Sequence, residues 1–183
     1  MARYANGSTG HLSCTGDISI GGSGGPWTVA FWYKRDGAQS SRYVFSFSDG
    51  GGSSQFSIIY GYVANSFELF PNGRTGSSIS ITDDDWHHIA YRKDNSGTSN
   101  LDKFLDGVRT NISTAISFTN VTSATAPNIC INHIVNLGIS TAAVLDLVVL
   151  PYNVPDQIIT AMAQGKSFSE FSALYPLGNY WPC

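Results

Sequence analysis

The sequence predicts an all-β protein of two antiparallel sheets, with one short helix near the C-terminus. Three observations carry this. Period-two alternation of apolar and polar residues recurs from end to end, clusters of Gly, Asn, Asp and Ser separate the alternating segments, and one stretch alone combines a helical pattern with helix end signals. Composition agrees: 42% of the 183 residues are hydrophobic, only 13% are charged, and 19 are glycine. The surface must then be built from Ser, Thr, Asn and Gly, the profile of a β protein with many turns. A compact domain of this length buries about 70% of its unfolded-chain surface and needs no cross-links. With no long linker, internal repeat or low-complexity tail, residues 1–183 are expected to form one domain.

Taken in order, the alternation predicts strands over residues 28–34, 43–47, 55–60, 66–70, 78–81, 86–93, 102–105, 108–111, 128–132 and 144–150. Asp106-Gly107, between Lys103-Phe104-Leu105 and Val108-Arg109-Thr110, predicts a tight hairpin, because both residue types tolerate positive φ. Asn72-Gly73 after Phe67-Glu68-Leu69-Phe70 predicts a second. The helix is expected over residues 155–164, with Pro155 in the first turn, Asp156 where the helix dipole favours a carboxylate, and Gly165 to end it. Ile158, Ile159 and Met162 then face a sheet.

Charge and hydropathy exclude two classes of partner. The formal charge is −3 and the ten basic residues stand singly or in pairs, so no basic stripe exists for a nucleic-acid backbone to follow. The apolar run Ala142-Ala143-Val144-Leu145 is broken by Asp146, far short of the roughly 20 residues that span a bilayer. The opening Met1-Ala2-Arg3-Tyr4-Ala5-Asn6-Gly7 has no apolar segment, so no secretory signal peptide is expected. Cys14, Cys130 and Cys183 are far apart and match no zinc spacing, and buried thiols are expected of a chain made in a reducing cytoplasm.

The densest cluster of functional groups is Asp83-Asp84-Asp85-Trp86-His87-His88-Ile89-Ala90-Tyr91. On a strand, Trp86, His88, Ala90 and Arg92 take one face and His87, Ile89, Tyr91 and Lys93 the other, so the two imidazoles point apart and cannot share a metal. Asp83, Asp84 and Asp85 precede the strand. They read as a solvated loop that caps a turn, or as oxygen ligands for calcium, which takes six to eight of them. Glycoside hydrolysis needs two placed carboxyl groups, and the only glutamates, Glu68 and Glu170, stand far apart in unrelated contexts. The glycine run at residues 21–25 leads into a strand and lacks the helix N-terminus that cradles phosphate. Cys130 and His133, three apart on a predicted strand, fall on opposite faces, against a thiol nucleophile. Most of the 23 aromatic residues are core, but Tyr60, Tyr62 and Phe67, with Asn65 and Gly61 beside them, form a loop-proximal set of candidate ligand-binding residues.

Four segments carry a resemblance: Thr28-Val29-Ala30-Phe31-Trp32-Tyr33-Lys34, Asp85-Trp86-His87-His88-Ile89-Ala90, Phe104-Leu105-Asp106-Gly107-Val108, and Leu145-Asp146-Leu147-Val148-Val149 followed by a short helix. In this order and spacing the chain resembles the laminin G-like, concanavalin A-like lectin/glucanase superfamily. The resemblance implies a jelly-roll β-sandwich in which the Trp-His-His strand and the Asp-Gly hairpin are framework. No cofactor is expected from it; calcium, common in lectin and pentraxin relatives, is the one candidate, with Asp83, Asp84 and Asp85 as its candidate ligands here. The catalytic carboxylate motif of the glucanases is missing, so no enzyme activity is implied. The segments at residues 2–8, 163–166 and 179–182 resemble compact members encoded by phages and bacteria. They imply a non-catalytic virion surface protein, a capsid decoration or a head or tail appendage, that is homo-oligomeric and partnered by a major capsid or tail protein. The alternative is a lectin-like module that attaches to host-surface glycans.

Overall fold

The computed structural model describes residues 3–4, 12–13, 26–35, 42–48, 54–61, 65–70, 78–93, 101–112, 126–129, 143–176 and 179–181. Tyr62, Asn72-Gly73, His133, the glycine run and all three cysteines lie outside them. The described strands are β1 (Arg3–Tyr4), β2 (Leu12–Ser13), β3 (Trp27–Lys34), β4 (Arg42–Ser48), β5 (Ser54–Tyr60), β6 (Ser66–Phe70), β7 (Ile79–Ser80), β8 (Trp86–Lys93), β9 (Leu101–Leu105), β10 (Val108–Ile112), β11 (Ala126–Ile129), β12 (Ala143–Leu150) and β13 (Asn179–Trp181). Helix α1 spans Asp156–Ala163, and two single 3-10 turns follow at Phe168–Glu170 and Ser172–Leu174. One sheet runs β1-β12-β3-β8-β9-β10, with β13 also on β12, and the other runs β2-β11-β4-β5-β6-β7; every pairing is antiparallel. The expected two-sheet jelly-roll sandwich is the fold.

Aromatic residues of both sheets fill the space between them. Phe31 and Tyr33 of β3 meet Phe67 of β6 and Tyr60 of β5, with ring centroids 4.7–5.8 Å apart in edge-on or tilted contacts. Burial of each such ring is worth about 1.5–3 kcal/mol. The other face of the first sheet is covered as well. Ala30, Ala90, Phe104, Val148 and Leu150 pack there against Val154, Ile159, Met162 and Phe168. Cover on both faces explains why Trp-Thr-Val-Ala-Phe-Trp-Tyr-Lys in β3 holds five consecutive buried residues instead of alternating cleanly.

The helix begins at Pro155 and ends in paired bonds, Gly165 N–H to Met162 O and Lys166 N–H to Ala161 O, with Gly165 at φ 90°. Ile159 and Met162 are buried and Ile158 packs beside them, the expected face. Polar contacts seat α1 on the sheet. The Thr160 hydroxyl donates to the Gly107 carbonyl at 3.1 Å, and the Asp156 carboxylate takes Arg92 at 2.6 Å and Arg109 at 3.4 Å. Both arginines also grip Asp102, at 2.5 and 3.0 Å, which closes a ring of four charges above the Phe104 face. Partial burial would raise Asp156, but the hydrogen bonds and charges of Arg92 and Arg109 together outweigh that and hold it below the usual carboxylate range.

One turn and one bulge depart from regular strand geometry. Asp106 and Gly107 take φ 51° and 77°, so the predicted hairpin forms with Val108 opposite Leu105. In β12 the register against β3 shifts between Leu145 and Val148, and Asp146 stands at φ 49°: the lone aspartate of this apolar strand marks a β-bulge.

Candidate functional site

Strands β3, β5 and β9 finish, and β6 and β8 start, at the same end of the sandwich. The β3–β8 register ends with Lys34 opposite Trp86, so the next residue, Arg35, falls beside the loop at residues 81–85. Its Nη1 donates to Asn65 Oδ1 at 2.8 Å and its Nη2 to the Thr82 carbonyl, while Nε lies 2.6 Å from Asp84 Oδ1 in an ionic contact off the hydrogen-bond axis. The Tyr60 hydroxyl does most to hold the guanidinium proton, outweighing partial burial, and Asp84 adds to it. Arg35 is thus a fixed cation, its side chain 10% exposed, beside an Asp84 that is 57% exposed. Asn65 sits at φ 59° and its carbonyl accepts the Ile81 amide at 2.7 Å, which ties the start of β6 to the same loop.

A second cation lies alongside. His87 Nε2 is 2.8 Å from Asp83 Oδ1 and its Nδ1 is 2.8 Å from Asp106 Oδ2. Partial burial would lower this imidazole, but the bonds to Asp83 and Asp106 prevail and raise it above its ordinary value. Asp83 is held below the usual carboxylate range, first by His87 and then by the Asp85 amide, which donates to it at 3.0 Å. The neighbouring His88 takes the opposite face, as alternation requires. It is buried edge-on to Trp32 at 5.4 Å, its Nδ1 has no hydrogen-bond partner among the described residues, and desolvation lowers it to about 4.

The two groups of sequence candidates meet here, though in changed roles. Asn65, Asp83 and Asp84 converge through Arg35 and His87, residues to which the sequence alone assigns no such part. Tyr60 and Phe67 are corrected: both are fully buried in the aromatic core and present no ring for stacking on a ligand. Asp85 is exposed. Calcium does not fit this geometry: no three His, Cys, Asp or Glu side chains gather around one point among the described residues, and Asp83 and Asp84 already have cationic partners. Elsewhere, a groove of about 220 Å³ opens where β7 meets β9 and β10, lined by Ser78, Ser80, Lys103 and Thr110; Lys103 Nζ donates to the Ser78 carbonyl at 2.6 Å, and burial lowers its pKa.

A family model described as the concanavalin A-like lectin/glucanases superfamily, laminin G type, matches residues 6–148. The chain belongs to that superfamily. No curated protein matches it. Among solved structures the chain is similar to a heptameric SAP-like pentraxin from Limulus polyphemus, at 13% identity and a TM-score of 0.62 over 86% of this chain and 76% of that one. It is also similar to a botulinum neurotoxin type C structure, at 12% identity and a TM-score of 0.53 over 90% and 46% of the two chains; entry of that toxin into cells depends on two ganglioside molecules. A Trypanosoma rangeli sialidase mutant with trans-sialidase activity matches at 11% identity and a TM-score of 0.57 over 88% and 29%. This superfamily member therefore spans about half of the neurotoxin chain and under a third of the sialidase, and the likeness is one of fold.

Proposed function

We propose that this domain is a non-catalytic recognition module and that its rim, formed by Arg35, Asn65, Asp84 and Asp85, binds glycans. The observation that carries the reading is the fixing of Arg35 by Asn65, Thr82 and Asp84, beside carboxylates open to solvent. Sugar hydroxyls both donate and accept. A rim whose donors and acceptors are ordered before the ligand arrives loses little entropy on binding. The gangliosides of the neurotoxin and the substrates of the sialidase support a saccharide ligand, through fold likeness alone.

The absence of catalysis is part of the proposal. A general acid needs a carboxyl of raised pKa, whereas Asp83 and Asp156 are held low. Glu170 caps the turn at Ser167. Homo-oligomerisation, the state of the heptameric pentraxin, would multiply weak single-site affinities. A glycan array with the wild-type chain and an Arg35→Ala variant tests the reading. Selective binding lost in the variant is expected; a flat array, or binding indifferent to Arg35, overturns it.

The likeness of residues 2–8, 163–166 and 179–182 to phage-encoded members favours a second reading, display on a virion as a decoration or appendage. Co-sedimentation with shells of a parent particle at micromolar concentration is its test, and failure to co-sediment rejects it.

A further inference from the structure

We propose that Arg35 and His87 are built-in cations that hold the rim loop at residues 81–85 in place of calcium. The inference concerns the loop itself and stands or falls separately from glycan binding. Asp83, Asp84 and Asp85 are consecutive, and a loop with three adjacent carboxylates needs a positive charge to close it against the sheet. The structure supplies two, from different strands. Arg35, just beyond β3, meets Asp84 at 2.6 Å and also takes the Thr82 carbonyl and the Asn65 side chain.

His87 is the second, and its geometry defines its charge. Both ring nitrogens stand 2.8 Å from carboxylate oxygens, those of Asp83 and Asp106. A carboxylate only accepts, so both nitrogens must donate, and an imidazole that donates twice is an imidazolium. The groups that face it are Asp83 from the loop and Asp106 from the β9–β10 turn, with Arg35 acting on Asp83 and Tyr33 opposite on β3. Asp106 also accepts the His88 amide at 2.9 Å, so the loop is bound through His87 to the sheet framework.

Calcium would have to displace both cations to reach these oxygens and then find several more, since it takes six to eight. Two of the nearest oxygens are already engaged, the Thr82 carbonyl by Arg35 and Asp83 Oδ1 by both the Asp85 amide and His87, and among the described residues no three acidic or imidazole side chains gather around one point. Two of the three carboxylates of the acidic run are therefore paired from within by protein cations, and Asp85 stays exposed to solvent.

Two measurements on the whole chain test this. Thermal unfolding in 10 mM calcium chloride should match that in excess chelator to within about 1 °C; a site of millimolar or better affinity raises the midpoint by about 3 °C or more, and such a rise overturns the proposal. Native-state hydrogen exchange of residues 82–85 should speed up roughly tenfold or more in His87→Gln and in Arg35→Gln. Unchanged exchange in both variants overturns the proposal as surely, because the loop would then be held by something else. Should Arg35→Gln not fold, Asp84→Asn reads the same contact from its exposed side.

Discussion

Asp106 and His87 meet at 2.8 Å at the end of the β8–β9 pair, and the second Asp106 oxygen accepts the His88 amide at 2.9 Å. One carboxylate in a turn thus grips two successive residues of a strand whose side chains leave it in opposite directions. The imidazoles inherit opposite environments, charged at the rim for His87 and buried against Trp32 for His88.

Stability should therefore peak near pH 6.5. His88 titrates at about 4 when folded, against about 6.5 unfolded, so between those values the unfolded chain binds more protons and stability climbs as pH rises, by on the order of 3 kcal/mol. His87 is raised by Asp83 and Asp106, so its contribution is full below about pH 6.5 and is lost as pH rises through its folded value; the solvent exposure of its two carboxylate partners keeps that part small. Asp83 and Asp156, held low, lose their contributions only at about pH 4 and below. Urea unfolding from pH 4 to 9 should show both limbs. His88→Phe should flatten the acid limb and His87→Gln the alkaline one, and unchanged slopes in these variants would refute the assignment.

Gly107→Ala should cost about 1–3 kcal/mol, read from denaturant midpoints. Gly107 stands at φ 77°, and an added Cβ would lie 3.1 Å from Ala163 Cβ and 3.2 Å from Thr160 Cα. The hairpin and α1 approach too closely there for a side chain, and the helix backbone cannot give way freely. Wild-type stability in this variant would mean that α1 is not seated against the turn.

Arg92→Met should cost about 3–5 kcal/mol, because it strands Asp102, whose side chain is 11% exposed, without its nearest cation. The double change Arg92→Met with Asp102→Leu should cost much less than the single one, since no charge is then left buried. Arg109→Met, at a side chain 42% exposed, should cost under about 1 kcal/mol. A single and a double variant of equal stability would remove the electrostatic explanation.

Phe67→Ala should cost about 3–5 kcal/mol, since the ring is fully buried among Phe31, Tyr33 and Tyr60. A ring kept at the surface for a ligand would be removed almost without effect on thermal unfolding, and that result would restore the sequence expectation for this residue.

Local chemistry was legible wherever neighbours in sequence decide it. Alternation over Trp86–Lys93 separates His87 from His88, the positive-φ tolerance of Asp106 and Gly107 makes the hairpin, and Pro155 and Gly165 bound α1. The strands β1, β2 and β13, of two or three residues, were not legible, because so short a segment has no period to read and exists only through its partner.

By itself, then, the sequence determined the two antiparallel sheets, the single helix and the faces of its strands, since alternation and end signals act over a few residues. Only the tertiary structure decided the site. It sends Tyr60 and Phe67 into the core, sets a buried Arg92 in a half-exposed ring of charge, and brings Arg35 to Asp84 and Asn65 across 49 and 30 positions of chain. The physical reason is register: which strand ends meet is settled by packing between distant segments, and a charge at a strand end shows no partner until those ends are side by side.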